Sequence, residues 1–400
     1  MFIRLIRSIR VQLLRRWYAY ARMTTTTRTI LFAGGGSGGH IYPNLAVFER
    51  LREVDPGASA HLLVSNRPVD EQIVRKEQLP FTVLPALPLV FKPKPLWAFY
   101  QAYKQSEQVV LDVIAKTNAS AMIATGGFVS GPAVSAAQKA GIPVALLNLD
   151  AVPGRANRFA ANKATESFTT YPCTQLRRAQ KIGMPLRRSV IGSLKPEKAR
   201  WDLGLRPDLD TILVFAGSQG STSINAMMME LCTRAQHRKA LENWQIIHLT
   251  GPSDQARVQE AYDKAQVRGM AHSFCHQMGA VWSAATVAIG RAGAGSVAEA
   301  WVNAVPTIFM PYPYHKDQHQ RLNAEPLVSS GAALLQRDLI DPIENVNQIA
   351  GPLKALLANE TRLEKMRQIL RDTCPPDGAR VVADWLTTMT GVGFARKVGG

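Results

Sequence analysis

Cysteine is scarce in this chain, and what there is forms no motif. Cys173, Cys232, Cys275 and Cys374 stand far apart with no CxxC among them. That excludes the usual zinc cage and a disulfide framework, and it fits a reducing cytosol. No apolar run reaches the roughly 20 residues of a membrane span, and the first 22 residues lack the long apolar core of a signal peptide. No recognition helix or zinc-finger pattern occurs, so nucleic acid is not an expected partner. Acidic residues are short too: 47 Lys and Arg face 30 Asp and Glu, a net charge of +17. Arg4, Arg7, Arg10, Arg15, Arg16 and Arg22 have no acid beside them in residues 1–22, and taking these six away still leaves +11. A body this basic suits anionic lipid or phosphorylated substrates.

What is present is an ordinary globular composition, 400 residues with 46% hydrophobic and 19% charged. That is enough for two α/β domains with cores of their own. Apolar runs at Ile30–Ala33, His61–Ser65, Phe81–Leu84, Ala121–Thr125, Val144–Leu149 and Ser167–Tyr171 predict strands. Helical patterns lie between them at Leu45–Arg52, Val69–Lys76, Leu96–Lys116 and Ala133–Ala140. This alternation predicts a parallel sheet covered on both faces. After linker-like stretches at Lys181–Pro185 and Leu194–Pro196 the pattern restarts, with strands at Thr211–Phe215, Gln245–Leu249, Ala288–Gly290 and Pro306–Met310 and a helix at Ile224–Ala235. The expected domains are a basic extension over 1–27, a first α/β domain over 28–183 and a second over 184–374. A helix at about 375–390 is expected to return to the first domain.

The richest stretch of the first half runs from the strand Ile30–Ala33 through Gly34-Gly-Gly-Ser-Gly-Gly39 to His40 and a helix. Strand, glycine loop and helix is an arrangement in which backbone N–H groups and a helix N-terminus face an anionic or polar ligand. Five glycines in six residues are too large an entropic cost for idle packing. The Gly34-x-Gly36-x-x-Gly39 spacing matches a dinucleotide fingerprint, but the second strand ends in Ser65-Asn66 without the carboxylate that holds the ribose, which argues against NAD. His40, where loop meets helix, is placed to titrate against whatever the loop holds.

In the second half, Gly290-Arg-Ala-Gly-Ala-Gly-Ser-Val-Ala-Glu-Ala300 predicts a strand end, a small-residue loop and a helix beginning near Ser296. Its N–H groups would aim at a diphosphate. Glu299, one turn in, reads either as an acceptor for two ribose hydroxyls or as a solvated acid stabilised by the helix dipole. Gly217-Ser-Gln-Gly220 is a second turn of the same kind. His315 and His319, like His272 and His276, have i, i+4 spacing but lack the Glu of HExxH or a third ligand, so no metal site is expected.

Taken together, Gly35–Pro43, Gly126–Pro132, Gly217–Gly220, Arg291–Glu299 and His315–Ala324 resemble the MurG family, the N-acetylglucosaminyltransferases of peptidoglycan synthesis within glycosyltransferase family 28. The likeness runs in order from about Arg28 to Leu386. It implies the GT-B fold, two Rossmann-like domains facing a cleft, and inverting transfer that needs no metal or other cofactor. By position, Ser37, Gly38 and Gly39 would face the transferred sugar and diphosphate, with His40 as general base. Arg187 and Ser218 would bind the donor, and the main chain at Phe274-Cys275 would read uracil. Ala294, Gly295, Ser296, Val297, Ala298 and Glu299 would hold phosphate and ribose, and Gln320 the sugar. The implied partners are UDP-N-acetylglucosamine, an undecaprenyl-linked muramyl-pentapeptide and an anionic membrane surface, with the protein peripheral on the cytoplasmic face of the inner membrane.

The chain departs from the family at Leu147-Asn-Leu-Asp150, where His-Glu-Gln-Asn is usual. Asp150 therefore replaces a donor-contacting asparagine, and Asn148 a glutamate on the acceptor side. Leu249 and Pro252 also replace polar residues. These departures leave open a related transferase acting on another lipid acceptor, or a donor-binding protein without turnover. Val90, Phe91, Leu96, Trp97, Phe99 and Tyr100 around Lys92 and Lys94 suggest a membrane-docking face, the alternative being aromatics packed beneath the first domain. Residues 1–22 read as an amphipathic interfacial helix or as an extension ahead of a start at Met23.

Overall fold

In this computed structural model the described residues are 28–391 apart from Ser37, Arg177, Ser218 and Gln219. The expectations for Ser37, Ser218 and the amphipathic helix within 1–22 lie outside them. Two sheets organise the chain, and every strand pairing in both is parallel. The first contains β1 (Thr29–Gly34), β2 (Ser59–Ser65), β3 (Phe81–Leu84), β4 (Ala119–Gly126), β5 (Val144–Asn148), β6 (Glu166–Thr169) and β7 (Gln180–Lys181), in the order β3-β2-β1-β4-β5-β6-β7. The second contains β8 (Asp210–Phe215), β9 (Trp244–Leu249), β10 (Gly269–His272), β11 (Val287–Gly290), β12 (Thr307–Phe309) and β13 (Ala333–Leu335), in the order β10-β9-β8-β11-β12-β13. Ile30, Leu31, Phe32 and Ala33 are all buried, as a strand covered on both faces requires.

Each sheet reverses its winding once, between β1 and β4 and between β8 and β11. Ligands of open parallel sheets bind beyond the carboxyl ends of the strands at such a point. At those ends Gly34 stands level with Gly126, and Phe215 with Gly290. The two glycine-rich loops singled out in sequence thus leave the two sheets at their switch points.

The last helix, Gly378–Met389, packs on the Gly38–Val54 helix of the first sheet through Ala379, Val382, Ala383 and Leu386, all buried. Asp377 caps it, accepting from Ala379 N at 3.0 Å and Arg380 N at 3.3 Å. Asp377 also accepts from Arg50 Nε at 2.7 Å, while Arg50 Nη2 donates to the Leu186 carbonyl at 3.1 Å. A fully buried guanidinium therefore ties helix, connector and first sheet together. The chain crosses itself at Gly183 and Gly378, where a Cβ on either residue would run into backbone of the opposing segment. Only glycine permits that approach.

Four local differences from the sequence reading stand out. The first helix begins at Gly38, seven residues before Leu45, despite Gly38, Gly39 and Pro43. Its opening turn is held from outside: the His40 carbonyl accepts from Thr125 Oγ1 at 2.7 Å and from Asn44 Nδ2 at 3.2 Å, so tertiary contacts outweigh propensity. The long helix starts at Pro93, not Leu96, because prolines in a first turn remove N–H groups that have no partner there anyway. Lys181, read as linker, pairs at the sheet edge with Thr169. The apolar pattern does not mark β10 and β13, because each is an edge strand of three or four residues without a fully buried run. No helix among the described residues is long and apolar enough to cross a membrane.

Candidate active site

The first glycine loop is braced from both sides. Gly36 N donates to Asp70 Oδ2 at 2.6 Å, and Ser65 Oγ and N donate to the same oxygen at 2.5 and 3.3 Å. Arg67 Nη1 donates to the Gly36 carbonyl at 2.7 Å while its guanidinium lies over the Phe128 ring. Fixed N–H groups are what a phosphate site needs, because a loop already ordered loses no further entropy on binding.

His40 is set by the same packing. Its Nδ1 lies 3.1 Å from the Thr125 carbonyl, an acceptor, so Nδ1 carries the proton and Nε2 the lone pair. Burial lowers its pKa below the ordinary 6.5, against the charge of Asp150 and the Thr125 carbonyl, which raise it. The ring therefore rests neutral at pH 7. Gly126 and Gly127, both at positive φ, make the room: a Cβ on Gly126 would meet the His40 ring at 3.0 Å, and one on Gly127 would collide with the Gly35 carbonyl.

Across the cleft the helix Ala294–Val302 begins two residues earlier than the sequence suggested, so Ala294, Gly295 and Ser296 form its open start, while Val297 is buried with its N–H bonded to the Gly293 carbonyl at 3.0 Å. Ala298 is buried against the core. Glu299 accepts from Trp282 Nε1 at 2.8 Å. The residue keeps an open edge, but enough protein surrounds the carboxyl that burial pushes its pKa up to about 7 against the pull of the indole N–H. It is not the solvated dipole acid of the alternative reading.

The two domains touch where these loops face each other. Asn323, fully buried, donates from Nδ2 to Asp150 Oδ1 at 3.0 Å and to the Ala292 carbonyl at 3.3 Å, and its Oδ1 accepts from Ala151 N at 2.8 Å. Tyr171 donates its hydroxyl to the Ala294 carbonyl at 2.7 Å. Asp150 is therefore engaged by Asn323 from the second domain. Asn148 is buried and satisfied, donating to the Asp150 carbonyl and Thr169 Oγ1 and accepting from Asn157. An amide suits that enclosed position, whereas a carboxylate would be left there without a cation.

The remaining sequence candidates are more dispersed. Arg187 pairs with Glu77 of the first domain at 2.5 Å, so part of its guanidinium is already spent across the domain boundary. Cys275 is half-buried, its Sγ accepting from Gln277 N, beside an exposed Phe274. His276 next to it reaches Lys76 Nζ of the first domain at 3.0 Å. Gln320 accepts through Oε1 from Tyr312 N at 2.9 Å, leaving its amide N–H groups for a ligand. His315 and His319 stack with centroids 4.2 Å apart, and Asp317 takes His319 Nδ1 at 2.7 Å. Asp70, Asn323, Glu77 and Trp282 were not picked out as site residues. Asp70 reads in sequence as a common first-turn acid, and the others acquire partners only when distant segments meet.

The N-terminal domain of glycosyltransferase family 28 matches residues 30–169, and the C-terminal domain of that family matches residues 211–372. A relative from Streptomyces avermitilis is 32% identical over 347 residues, 84% of this chain and 92% of the relative. Its name is UDP-N-acetylglucosamine–N-acetylmuramyl-(pentapeptide) pyrophosphoryl-undecaprenol N-acetylglucosamine transferase. The crystal structure of Acinetobacter baumannii MurG superposes with a TM-score of 0.70 at 22% identity, over 90% of this chain and 99% of that one. The calicheamicin glycosyltransferase CalG4 superposes at 0.62 and 15% identity, over 94% and 100% of the two chains. With both domains matched and the likeness running nearly the length of that relative, the chain belongs to glycosyltransferase family 28, in its MurG branch, and has the GT-B fold.

Proposed function

We propose that the protein transfers N-acetylglucosamine from UDP-N-acetylglucosamine, with inversion, to the C4 hydroxyl of an undecaprenyl-linked muramyl-pentapeptide. The observation that carries this reading is His40, neutral and held by Thr125 in the tautomer that leaves Nε2 basic, at one switch point opposite the open helix start Ala294–Ser296 at the other. Nε2 takes the hydroxyl proton as the acceptor oxygen bonds the anomeric carbon and the bond from that carbon to the diphosphate breaks. The first turns at Gly38-Gly39 and Ala294–Ser296 direct N–H groups and the positive ends of helix dipoles at the departing UDP. Glu299 holds the ribose, the main chain at Cys275 the uracil, and the free amide of Gln320 the sugar. Arg187, already paired with Glu77, and Asp150, held by Asn323, act at the domain boundary. Labelled donor supplied with and without lipid-linked muramyl-pentapeptide tests the proposal. Label must enter the lipid product only when both are present; donor binding without any transfer would leave a silent donor-binding protein.

The acceptor's lipid end requires the enzyme to meet a membrane. Phe91 is 70% and Trp97 64% exposed, with Val90, Leu96 and Tyr100 exposed beside Lys92, Lys94 and Lys104. Phe99 differs from the rest: it is half-buried and turns onto Tyr103 at 5.9 Å. Arg155 lies over the Phe91 ring, adding a further cation to the patch. A cluster of this kind is suited to headgroups, with each lysine near an anionic leaflet contributing about 1 kcal/mol. Protein beginning at Met23 should sediment with anionic vesicles at low salt and release as salt rises. Replacing Phe91 and Trp97 together by serine should weaken that partitioning about tenfold, since each ring buried is worth about 1.5–3 kcal/mol in full. Vesicle binding that vanishes with residues 1–22 and ignores both rings would move the anchor to the N-terminus.

A further inference from the structure

Beside the cleft, on the flank of the second domain, lies a groove of about 610 Å³ that the transfer reaction as described does not use. It opens between the segment after β12, Pro311–His315, and the segment after β13, Gln336–Ile340. One wall is aromatic, with Tyr312 and Tyr314 edge to face at 5.5 Å and Tyr314 67% exposed. The other wall is aliphatic, with Leu339 and Ile340 exposed.

That second wall is rigid. Asp338, wholly buried, pairs with Arg291 at 2.6 Å and accepts from Ser223 Oγ, Asn345 Nδ2 and Ile340 N at 2.6, 2.8 and 2.8 Å. Leu339 N donates to Asn345 Oδ1 at 2.8 Å. These bonds hold Ile340 at φ +68, a left-handed conformation that a β-branched residue seldom adopts. Strain imposed to present two aliphatic side chains to solvent marks a surface built for contact. The rim is cationic: Arg337 is exposed, and Arg321 donates from Nε to Gln318 Oε1 at 3.2 Å while its Nη1 stays 3.9 Å from Glu325. The one acid lining the groove, Asp338, is already consumed by Arg291.

The groove is continuous with the cleft. Tyr312 N bonds Gln320, its ring lies under Arg291 at 5.6 Å, and the next residue, Ala292, takes Asn323 of the inter-domain contact. An occupant that fits brings apolar groups to the two walls and an anionic end to the rim. Resting on the acceptor assigned above, we propose that this groove binds the end of the peptide of the muramyl-pentapeptide, packing its apolar side chains between Tyr314 and Ile340 and pairing its terminal carboxylate with Arg337 and Arg321. An extended pentapeptide spans about 17 Å, enough to leave the cleft and enter a groove that shares a wall with it. Carboxylate and guanidinium match in shape as well as charge.

Two variants outside the transfer machinery test this, Arg337→Ala and Tyr314→Ala, read first by fluorescence polarisation of a labelled, lipid-free muramyl-pentapeptide. The wild type should bind it, and each variant should weaken it about tenfold, the low end for a charge-assisted contact at a partly open site, with UDP affinity unchanged. In turnover, KM for the full acceptor should rise by a similar factor with kcat held, and KM for an acceptor stripped of its peptide should not move. Variants that bind the peptide like wild type, or that raise KM equally for both acceptors, overturn the inference and leave the transferase intact. Inorganic phosphate displacing the peptide at equal concentration would assign the arginines to a phosphate and also overturn it. Peptide binding lost in the variants of a protein that transfers no sugar would uphold the groove and sink the transferase instead.

Discussion

Replacing His40 by alanine should lower turnover by about 10²–10⁴ while UDP binds as before, the usual worth of general-base help. That factor corresponds to about 3–5 kcal/mol of activation free energy. The selectivity of the loss follows from the geometry. The His40 ring makes one hydrogen bond, Nδ1 to the Thr125 carbonyl, whereas the His40 carbonyl holds Thr125 Oγ1 through backbone that alanine retains. The glycine loop has independent braces in Asp70 and Arg67, so its N–H groups remain in place without the imidazole. The pH profile gives a second readout. Burial sets the His40 pKa below 6.5, so the rate should climb as pH rises through that lowered value and stay level above it. The Asp150 charge raises the pKa; Asp150→Asn should therefore move the rising limb to still lower pH, while its amide oxygen can keep Asn323 bound. Equal losses of turnover and UDP affinity in His40→Ala would make His40 a cap of the loop rather than a base.

Much of this was legible because parallel sheets write themselves plainly into sequence. Strands buried on both faces read as short apolar runs, as Ile30–Ala33 within β1 does, and the edge strand Phe81–Leu84 matches to the residue. The loops at the switch points are equally plain, since only glycine tolerates the close approach of Gly126 to His40 and of Gly127 to the Gly35 carbonyl. What stayed hidden depends on pairs far apart in the chain. Asn323 and Asp150 are separated by 173 positions and Arg187 and Glu77 by 110, yet each pair joins the two domains. Nothing near Asp70 announces that it will brace Gly36 rather than simply start a helix. In sequence, the Leu147–Asp150 departure leaves both the acceptor and turnover open. In the structure Asn148 fills a buried amide network and Asp150 meets an inter-domain donor, so both substitutions are satisfied where they stand.

Glu299→Gln should weaken UDP about 10- to 100-fold at pH 8.5 and much less at pH 5.5. A carboxylate accepting ribose hydroxyls makes charge-assisted bonds of about 1.5–3 kcal/mol, and only the ionised form can make them. Burial raises the Glu299 pKa from 4.5 to about 7, so near neutrality the unliganded protein is divided between the two forms. UDP selects the ionised one, and its binding must release a proton. Affinity in the wild type therefore rises with pH through about 7 and then levels, while the glutamine variant keeps only the pH dependence that the terminal phosphate of UDP brings, with its second pKa at about 6. Stability should run the other way. A carboxyl with a raised folded pKa contributes most below its unfolded value of 4.5, and that contribution is lost as pH climbs through about 7. At 1.36 kcal/mol per unit the loss is at most about 3 kcal/mol. Glutamine resembles the protonated acid and still offers Trp282 an oxygen, so it should escape the loss. The variant should then melt above the wild type at pH 8.5 and alongside it at pH 4.5, binding UDP worse where it is more stable. Calorimetry at both pH values, in two buffers of different ionisation heat, measures the affinity and the proton released. A wild-type UDP affinity that does not change with pH, with no proton released, would remove Glu299 from the ribose.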